Sequence, residues 1–589
     1  MGSESMEGGR RESNLKPNEK EVEMAEVGDK SGARNGSVVH ELLAHEPSGW
    51  LEQTVSKVGS STSLFLKENR SAMRTLMVVV SNGLVVAFFF VCFYHWLTLN
   101  TEPLQLCSGF GSLIALLTIV YGFVVYFLVV KRYLGSWFQR TVWSKVSKVA
   151  AILWNIPAFR WCCPIALVTA IAVYLYFDTR SSPERLISLL GLSVLLLLGF
   201  VFSSHPGRVS WRTVLSGLLM QFLFGVLFIR WEPGRAALEC FSNKVATFLS
   251  YGTEGAAFAF GDLLVRQEGV FAFSSLPVIF FVSMLVEVLF FWGALQWACL
   301  KLGQLLRAAA AATVCESVIC CGNVFLGNTE SMLLIKPYIS LLTPSEVHTV
   351  MASGFATVSG TILAAYIAFG ASPAHLVTAS VMSAPAALCY SKLLMPETRR
   401  SLTAVDNIQP VHSEDQSALS AATRGATNGI SLILNIVANI VAFVSFIAFV
   451  NGALGYCGAL LDYPHLNLEF ILGKVFIPLC WAMGVPWAEC EHVGALIGLK
   501  TVVNEFVAYR RMGEMKEAGL LSPRSELIAT YSLCGFTNPG SAGIMIGAMA
   551  AIAPNQRETL ASTAVRAFFA GCGICFMTAC IASLLMPDV

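Results

Sequence analysis

The stretch Gly322-Asn323-Val324-Phe325-Leu326-Gly327-Asn328-Thr329-Glu330 stands in the middle of an otherwise apolar region, residues 304–345. A hydrophobic run interrupted by glycine, amide, hydroxyl and carboxylate cannot cross lipid as one intact helix, because its freed backbone groups must face protein or water. The physical solution is a re-entrant hairpin whose tip ends near the membrane midplane. A second region, 525–553, is interrupted in the same way at Cys534-Gly535-Phe536-Thr537-Asn538-Pro539-Gly540-Ser541. Two interrupted runs in corresponding places, each beside a full span, are the pattern of an inverted-repeat secondary transporter.

The composition around these runs agrees. The chain has 589 residues, 55% hydrophobic and only 13% charged, with a mean hydropathy of +0.64. Soluble globular proteins carry about 25% charged residues. Ordinary soluble, disordered and disulfide-framed secreted classes are therefore excluded. Of the 77 charged residues, 22 fall within the first 74 positions. That segment reads as a disordered cytosolic tail, too polar and too long for a cleavable signal peptide. A net charge of +1 and the lack of a basic stretch with interleaved aromatics argue against a nucleic-acid partner. Cys162, Cys163, Cys320, Cys321, Cys572 and Cys575 all sit within apolar runs and are expected to pack as small hydrophobes.

A bilayer core of about 30 Å needs about 20 apolar residues per helix. Eleven runs meet that need, near 75–98, 108–131, 163–178, 185–204, 211–230, 271–294, 350–369, 373–395, 424–453, 488–510 and 557–586. Lys67, Arg70 and Arg74 precede the first span, the second loop holds only Glu102, and the third carries Lys131, Arg132, Arg140, Lys145, Lys148 and Arg160. The positive-inside bias then places the N-terminus in the cytosol, and an odd count of spans places the C-terminus outside.

Three carboxylates lie where they are costly, since an acidic side chain at the bilayer centre costs about 2.5–3.5 kcal/mol on insertion scales. Glu287, amid Leu285, Val286, Val288 and Leu289, reads best as one end of an interhelical hydrogen bond. Glu330 stands at the break of the first hairpin among groups suited to a binding tip. Glu505 lies in the run Gly498-Leu499-Lys500-Thr501-Val502-Val503-Asn504-Glu505-Phe506-Val507-Ala508-Tyr509. Helical spacing puts Lys500 and Asn504 on one face of that run, and a structural ion pair of Lys500 with a carboxylate is the competing reading. Ionised carboxylates offer acceptors for sugar hydroxyls, and amides and hydroxyls satisfy ring nitrogens and carbonyls. This chemistry admits a hydroxylated planar solute and equally a cation.

The 498–509 run resembles the G-x-K-x-x-x-N-E-F-V-A-Y signature of the concentrative nucleoside transporter family. Four further blocks resemble the family in the expected order: Gln221-Phe222-Leu223-Phe224-Gly225, the 271–294 span, Asn323 to Glu330, and Cys534 to Asn538. The likeness runs from about residue 185 to the end, and the three earlier spans resemble the extra N-terminal helices of animal-type members. The resemblance implies an all-α polytopic membrane protein of about 11 transmembrane helices and two re-entrant helical hairpins, with an inverted-repeat, elevator-type mechanism in a homotrimer. The chain then divides into a tail (1–74), three N-terminal helices (75–184), first core helices (185–303), the first hairpin with following helices (304–395), a polar connector (396–423), a scaffold helix with an interfacial segment (424–487), and a signature helix, second hairpin and last helix (488–589).

The resemblance also implies a nucleoside site at Gly327, Asn328, Thr329 and Glu330 of the first tip, with Ile362, Asn504, Glu505, Phe536, Asn538 and Ser541. It implies a Na+ site at Asn323, Leu326, Thr357 and Val358, with proton coupling left open through Glu330. The expected solutes are nucleosides of the adenosine, guanosine, inosine and uridine class, purine-leaning or broad in range, carried across the plasma membrane. Two departures bear on that range. Asn328 stands where glutamine is usual, and Asn538-Pro539-Gly540-Ser541 where Asn-Phe-Ser-Ser is usual. Proline removes an amide donor, which puts the geometry of the second tip in question. Competing readings are a proton-coupled nucleoside or nucleobase transporter, a channel, and an intramembrane enzyme. The last lacks an H-E-x-x-H motif and a G-x-S-G serine motif.

Overall fold

The computed structural model describes residues 70–99, 106–126, 157–310, 312–403, 415–462 and 466–586, with isolated positions at 104, 130, 133, 141, 411 and 413. The tail expected to be disordered lies outside the described residues except for its last five positions, which begin a helix. Among the described residues there is no β-strand. Two compact units divide the chain, residues 1–151 and 152–589. The first holds α1 (Arg70–Leu99) and α2 (Gly109–Val125), which pack against one another.

The second unit begins with α3 (Pro157–Asp178), α4 (Ile187–Val201) and α5 (Trp211–Gly225). Next comes α6 (Glu232–Phe260), a 29-residue amphipathic helix that no apolar run in the sequence marks. The chain continues through α7 (Val278–Phe291), α8 (Ala294–Ala310) and α9 (Val314–Gly322). Among the described residues, six helical stretches are long and apolar enough to cross a membrane: Thr75–Thr98, Pro183–Val201, Trp211–Arg230, Phe271–Phe291, Ala418–Leu460 and Pro554–Leu585.

Two of the expected spans are broken. In place of a single helix over 350–369 stand α10 (Pro344–Ala356) and α11 (Leu363–Ala368). α12 (Pro373–Leu394) follows as expected, and nearly all of its length is buried. The 43-residue α13 (Ala418–Leu460) is about 65 Å long at 1.5 Å per residue, twice the hydrocarbon thickness, and it lies along α7. After α14 (Leu468–Ala482) the signature run divides into α15 (Cys490–Val502) and α16 (Glu505–Glu517). Asn504 ends the expected continuity. Its backbone is extended and its side-chain oxygen accepts the Val507 amide at 3.0 Å, so it caps a new helix rather than continuing the old one. The last elements are α17 (Pro523–Leu533), α18 (Pro539–Ile552) and α19 (Arg557–Leu585).

Packing distinguishes a chain reversal from a mere break. α9 packs against the 3-10 segment Ser331–Leu341, and α15 packs against α16, so both are hairpins. α17 and α18 instead both lie along α19. The second hairpin is therefore 490–517, not the 525–553 run whose glycine and proline announced an interruption. That run is an interrupted helix, as 344–368 is. The polar connector is tied to the start of α10: Ser401 and Thr403 hydroxyls each donate to Glu346 at 2.6 Å, and Thr343 donates to Glu397 at 2.8 Å. Cys320, Cys321, Cys572 and Cys575 are buried and free, as packing residues should be.

Candidate functional site

Four breaks meet at one place: the first hairpin tip (323–330), the α10–α11 break (357–362), the α15–α16 break (503–504) and the α17–α18 break (534–538). Each exists because the sequence supplies a residue that ends one helix or caps the next. The first tip folds on itself, with the Leu326 amide donating to the Gly322 carbonyl at 2.8 Å and the Gly327 amide to Glu330 Oε2 at 3.1 Å. In the last break Asn538 caps α18 by accepting the Ser541 amide at 2.8 Å. Gly535 has φ +109°, and a Cβ there would run into the Phe355 carbonyl. Only glycine lets the two interrupted helices approach closely enough for the Phe536 amide to donate to Phe355 O at 2.7 Å.

Between the breaks lies a cleft with both polar and apolar walls. All ten residues expected at the nucleoside site line it: Gly327, Asn328, Thr329, Glu330, Ile362, Asn504, Glu505, Phe536, Asn538 and Ser541. Glu505 is 2% exposed and stands at the first position of α16. Asn538 Nδ2 donates to Glu505 Oε2 at 2.7 Å and to Ser541 Oγ at 3.0 Å, which joins the second hairpin to the last break. The starts of α16 and α18 both face this cleft, and helix N-termini favour anionic or electron-rich groups.

Sequence reasoning missed one wall of the cleft. Leu432, Asn435, Ile436 and Asn439, all on α13, line it, as do Ser359, Thr361, Phe506 and Ile544. Asn435 and Asn439 are four apart in an apolar helix, a spacing that puts both amides on one face and was readable. Ser359 and Thr361 hydroxyls pair at 2.5 Å within the α10–α11 break.

The cation set lies behind the first tip, at the C-terminal ends of α9 and α10. Asn323 caps α9 and Thr357 caps α10. Asn323 Nδ2 donates to Ser353 Oγ at 2.8 Å, and Thr357 Oγ1 donates to the Ser353 carbonyl at 2.9 Å. Asn323 Oδ1 is buried and has no hydrogen-bond partner among the described residues. A buried acceptor left open at two helix C-termini suits a hard cation. Leu326 and Val358 are buried beside it. Ser353 belongs to this cluster and was not expected.

The competing reading of Lys500 is not met. Its ammonium donates to the Ser532 carbonyl at 2.9 Å and the Cys534 carbonyl at 3.3 Å, not to a carboxylate. Glu287 does form interhelical contacts, with Arg424 at 2.8 Å and Asn428 at 3.2 Å, both on α13.

Comparison with known proteins places the chain. Residues 190–263 match the model of the Na+ dependent nucleoside transporter N-terminus, 272–373 that of nucleoside recognition (Gate), and 375–583 that of the Na+ dependent nucleoside transporter C-terminus. The chain is 43% identical to solute carrier family 28 member 3 of Rattus norvegicus over 440 residues, 72% of this chain and 62% of that protein. It is 42% identical to the Homo sapiens protein of the same name, covering 72% of this chain and 64% of that one. It therefore spans somewhat less than two thirds of the length of these relatives. Sodium/nucleoside cotransporter 1 of Rattus norvegicus is 37% identical over 80% of this chain and 74% of its own. The solved structure of CNTnw in an inward-facing substrate-bound state is similar with a TM-score of 0.65 and 35% identity, covering 68% of this chain and 98% of that one. Matched over both halves of its helical core, the chain belongs to the Na+ dependent nucleoside transporter family.

Proposed function

We propose that this chain carries nucleosides into the cell by symport with Na+. The observation that carries this reading is the pairing of two sites on one tip: a cleft walled by Glu330, Glu505 and Asn538, and, behind it, the open buried oxygen of Asn323. Ribose hydroxyls match the carboxylate acceptors, the amides of Asn328 and Asn538 suit base edges, and Phe536 offers a ring for stacking. A site built around hydroxyls rejects solutes that lack them, because its own polar groups would then be left unpaired.

Both sites share the segment Asn323 to Glu330, so ordering the tip around an ion readies Gly327, Asn328 and Thr329 for the nucleoside. By linkage, bound nucleoside then strengthens ion binding to the same degree. One charge moving inward through the membrane potential contributes about 2.3 kcal/mol per 100 mV, to which the Na+ gradient adds. The cleft has α13 on one side and the hairpin body on the other, which supports an elevator motion in which that body slides along α13 as a scaffold. A homotrimeric plasma-membrane assembly with a cytosolic N-terminus and an extracellular C-terminus completes the reading. Gly327 with Thr361 and Ile362 leans the selectivity towards purine or broad acceptance.

Full-length protein in proteoliposomes tests this. An imposed inward Na+ gradient should concentrate labelled uridine and adenosine, and excess nucleoside should compete where free nucleobase does not. Accumulation driven equally by a pH gradient with choline in place of Na+ would replace the ion. Failure to concentrate any nucleoside under either gradient would overturn the function.

A further inference from the structure

The two hairpins occupy corresponding places in an internal repeat, and their register can be read directly. Gly322 precedes Asn328-Thr329-Glu330 as Gly498 precedes Asn504-Glu505. In each half a hydroxyl-proline cap, Thr343-Pro344 or Ser522-Pro523, stands ten residues before a fully buried serine, Ser353 or Ser532. The first hairpin reaches its serine through Asn323 and leaves a buried oxygen open. The second reaches its serine through Lys500. That ammonium is 1% exposed and donates to Ser532 O at 2.9 Å, Cys534 O at 3.3 Å and Cys575 Sγ at 3.6 Å. No carboxylate of the described residues stands within ion-pair distance of it.

A buried ammonium without a counter-anion is costly unless other groups satisfy it. Here the satisfying groups are carbonyls at the C-terminal end of α17, the negative end of a helix dipole. Such oxygens are the ligands by which interrupted transporter helices hold a free cation. The second half thus carries, as part of its own chain, a positive charge beside the serine that corresponds to Ser353, the residue that Asn323 contacts in the first half. We propose that Lys500 is a tethered cation that permanently fills the second half's equivalent of the Na+ cradle and holds the Cys534–Asn538 bend in its binding shape. This rests on the Na+ reading of the first cradle. Lys500 is not among the residues that line the cleft, so it is a positioning residue: it acts through the bend that presents Phe536 and Asn538. The second cradle then has no vacancy to load or empty during transport.

The test uses full-length protein in proteoliposomes under an inward Na+ gradient. Lys500→Ala deletes the side chain beyond Cβ and leaves room for n-propylammonium. Uridine uptake should fall by about tenfold or more, the scale of losing charge-assisted hydrogen bonds that shape a site. Added n-propylammonium should restore part of it, whereas tetramethylammonium, which has no N–H donor, should not. The Hill coefficient for Na+ activation should rise above the wild-type value measured alongside, because the vacated carbonyls can now take an ion from solution. Wild-type uptake with a wild-type Na+ curve in Lys500→Ala overturns the proposal, and so does a loss that the primary amine leaves untouched. Where the variant is not recovered as monodisperse protein, purification in each amine gives the same reading: better recovery in n-propylammonium supports it, and equal recovery overturns it. Wild-type protein whose uptake ignores Na+ instead overturns the coupling reading, so the two failures fall in different arms.

Discussion

The first hairpin and the second present the same parts, an acidic tip residue and a cluster of helix C-terminal oxygens, but finish them differently. Glu330 is held within its own tip by the Gly327 amide at 3.1 Å. Glu505 is held across to another element by Asn538 at 2.7 Å. Asn323 leaves an acceptor open, whereas Lys500 closes its carbonyls with a covalently attached charge. The first half is thus built to exchange partners with solution and the second to stay assembled. On the proposed function, reversible ordering falls where the ion would be loaded, and fixed geometry where the solute's sugar would be held.

This contrast sets the order of expected effects. Glu505→Gln should be the most damaging change, because on the proposed reading it removes the charged acceptor for ribose hydroxyls, while the remaining amide oxygen still accepts from Asn538. With about 1.5–3 kcal/mol for each hydrogen bond to a charged group, the loss in uptake efficiency should reach about a hundredfold in proteoliposomes at fixed Na+. Glu330→Gln should cost about tenfold, since a neutral amide oxygen can still accept the Gly327 amide and the tip keeps its shape. Equal losses in the two variants, with equal protein in the membrane, would break the contrast.

How far the sequence carried these assignments depends on what each break is made of. Gly535, Pro539 and Gly540 announce an interruption in any apolar run, yet they do not say whether the chain turns back. That depends on α17 and α18 both lying along α19, a tertiary fact with no local signature. The break at Val503-Asn504 hid for the opposite reason. β-Branched valines and a single asparagine do not exclude a helix, so 488–510 read as one span. With Asn504 capping α16, Glu505 moves from mid-helix to a helix start, and the shared helical face of Lys500 and Asn504 loses its meaning, because the two now stand on either side of the break. The ten residues expected at the nucleoside site came from motif likeness, and all line one cleft. The α13 wall was missed because attention to charged groups passed over Asn435 and Asn439, although their spacing was there to be read.

The open and closed cradles make a third prediction, smaller in uptake but more specific. Asn323→Ala should raise the Na+ concentration for half-maximal uptake by about fivefold, the scale of about 1 kcal/mol for losing one polar interaction, while leaving the preference between uridine and adenosine unchanged. Thr357→Ala should do the same more weakly, because its hydroxyl already donates to Ser353 O at 2.9 Å. A change in nucleoside preference without a change in Na+ dependence would move the ion elsewhere.

The smallest effect is expected at Pro539, the residue that put the geometry of the 534–541 interruption in question. Pro344, Pro523 and Pro539 all occupy the first turn of a helix behind a Thr, Ser or Asn cap. At that position the amide has no partner within the helix, so the missing N–H costs nothing, and the fixed φ favours the helix start. Asn538 still receives the Ser541 amide at 2.8 Å and still donates to Glu505. Pro539→Ala should therefore leave uptake within about twofold and lower thermal stability slightly, by about 0.4–1 kcal/mol through the freer unfolded chain. Gly540 bears on the same point, because a Cβ there would come 3.3 Å from Asn538 Oδ1 and 3.6 Å from Asn439. Gly540→Ala should thus disturb substrate preference more than Pro539→Ala does, and uptake of uridine and adenosine by the two variants side by side checks that order. The reverse order would return the departure from the usual tip sequence to the proline, and with it the claim that the second half keeps its shape through its caps.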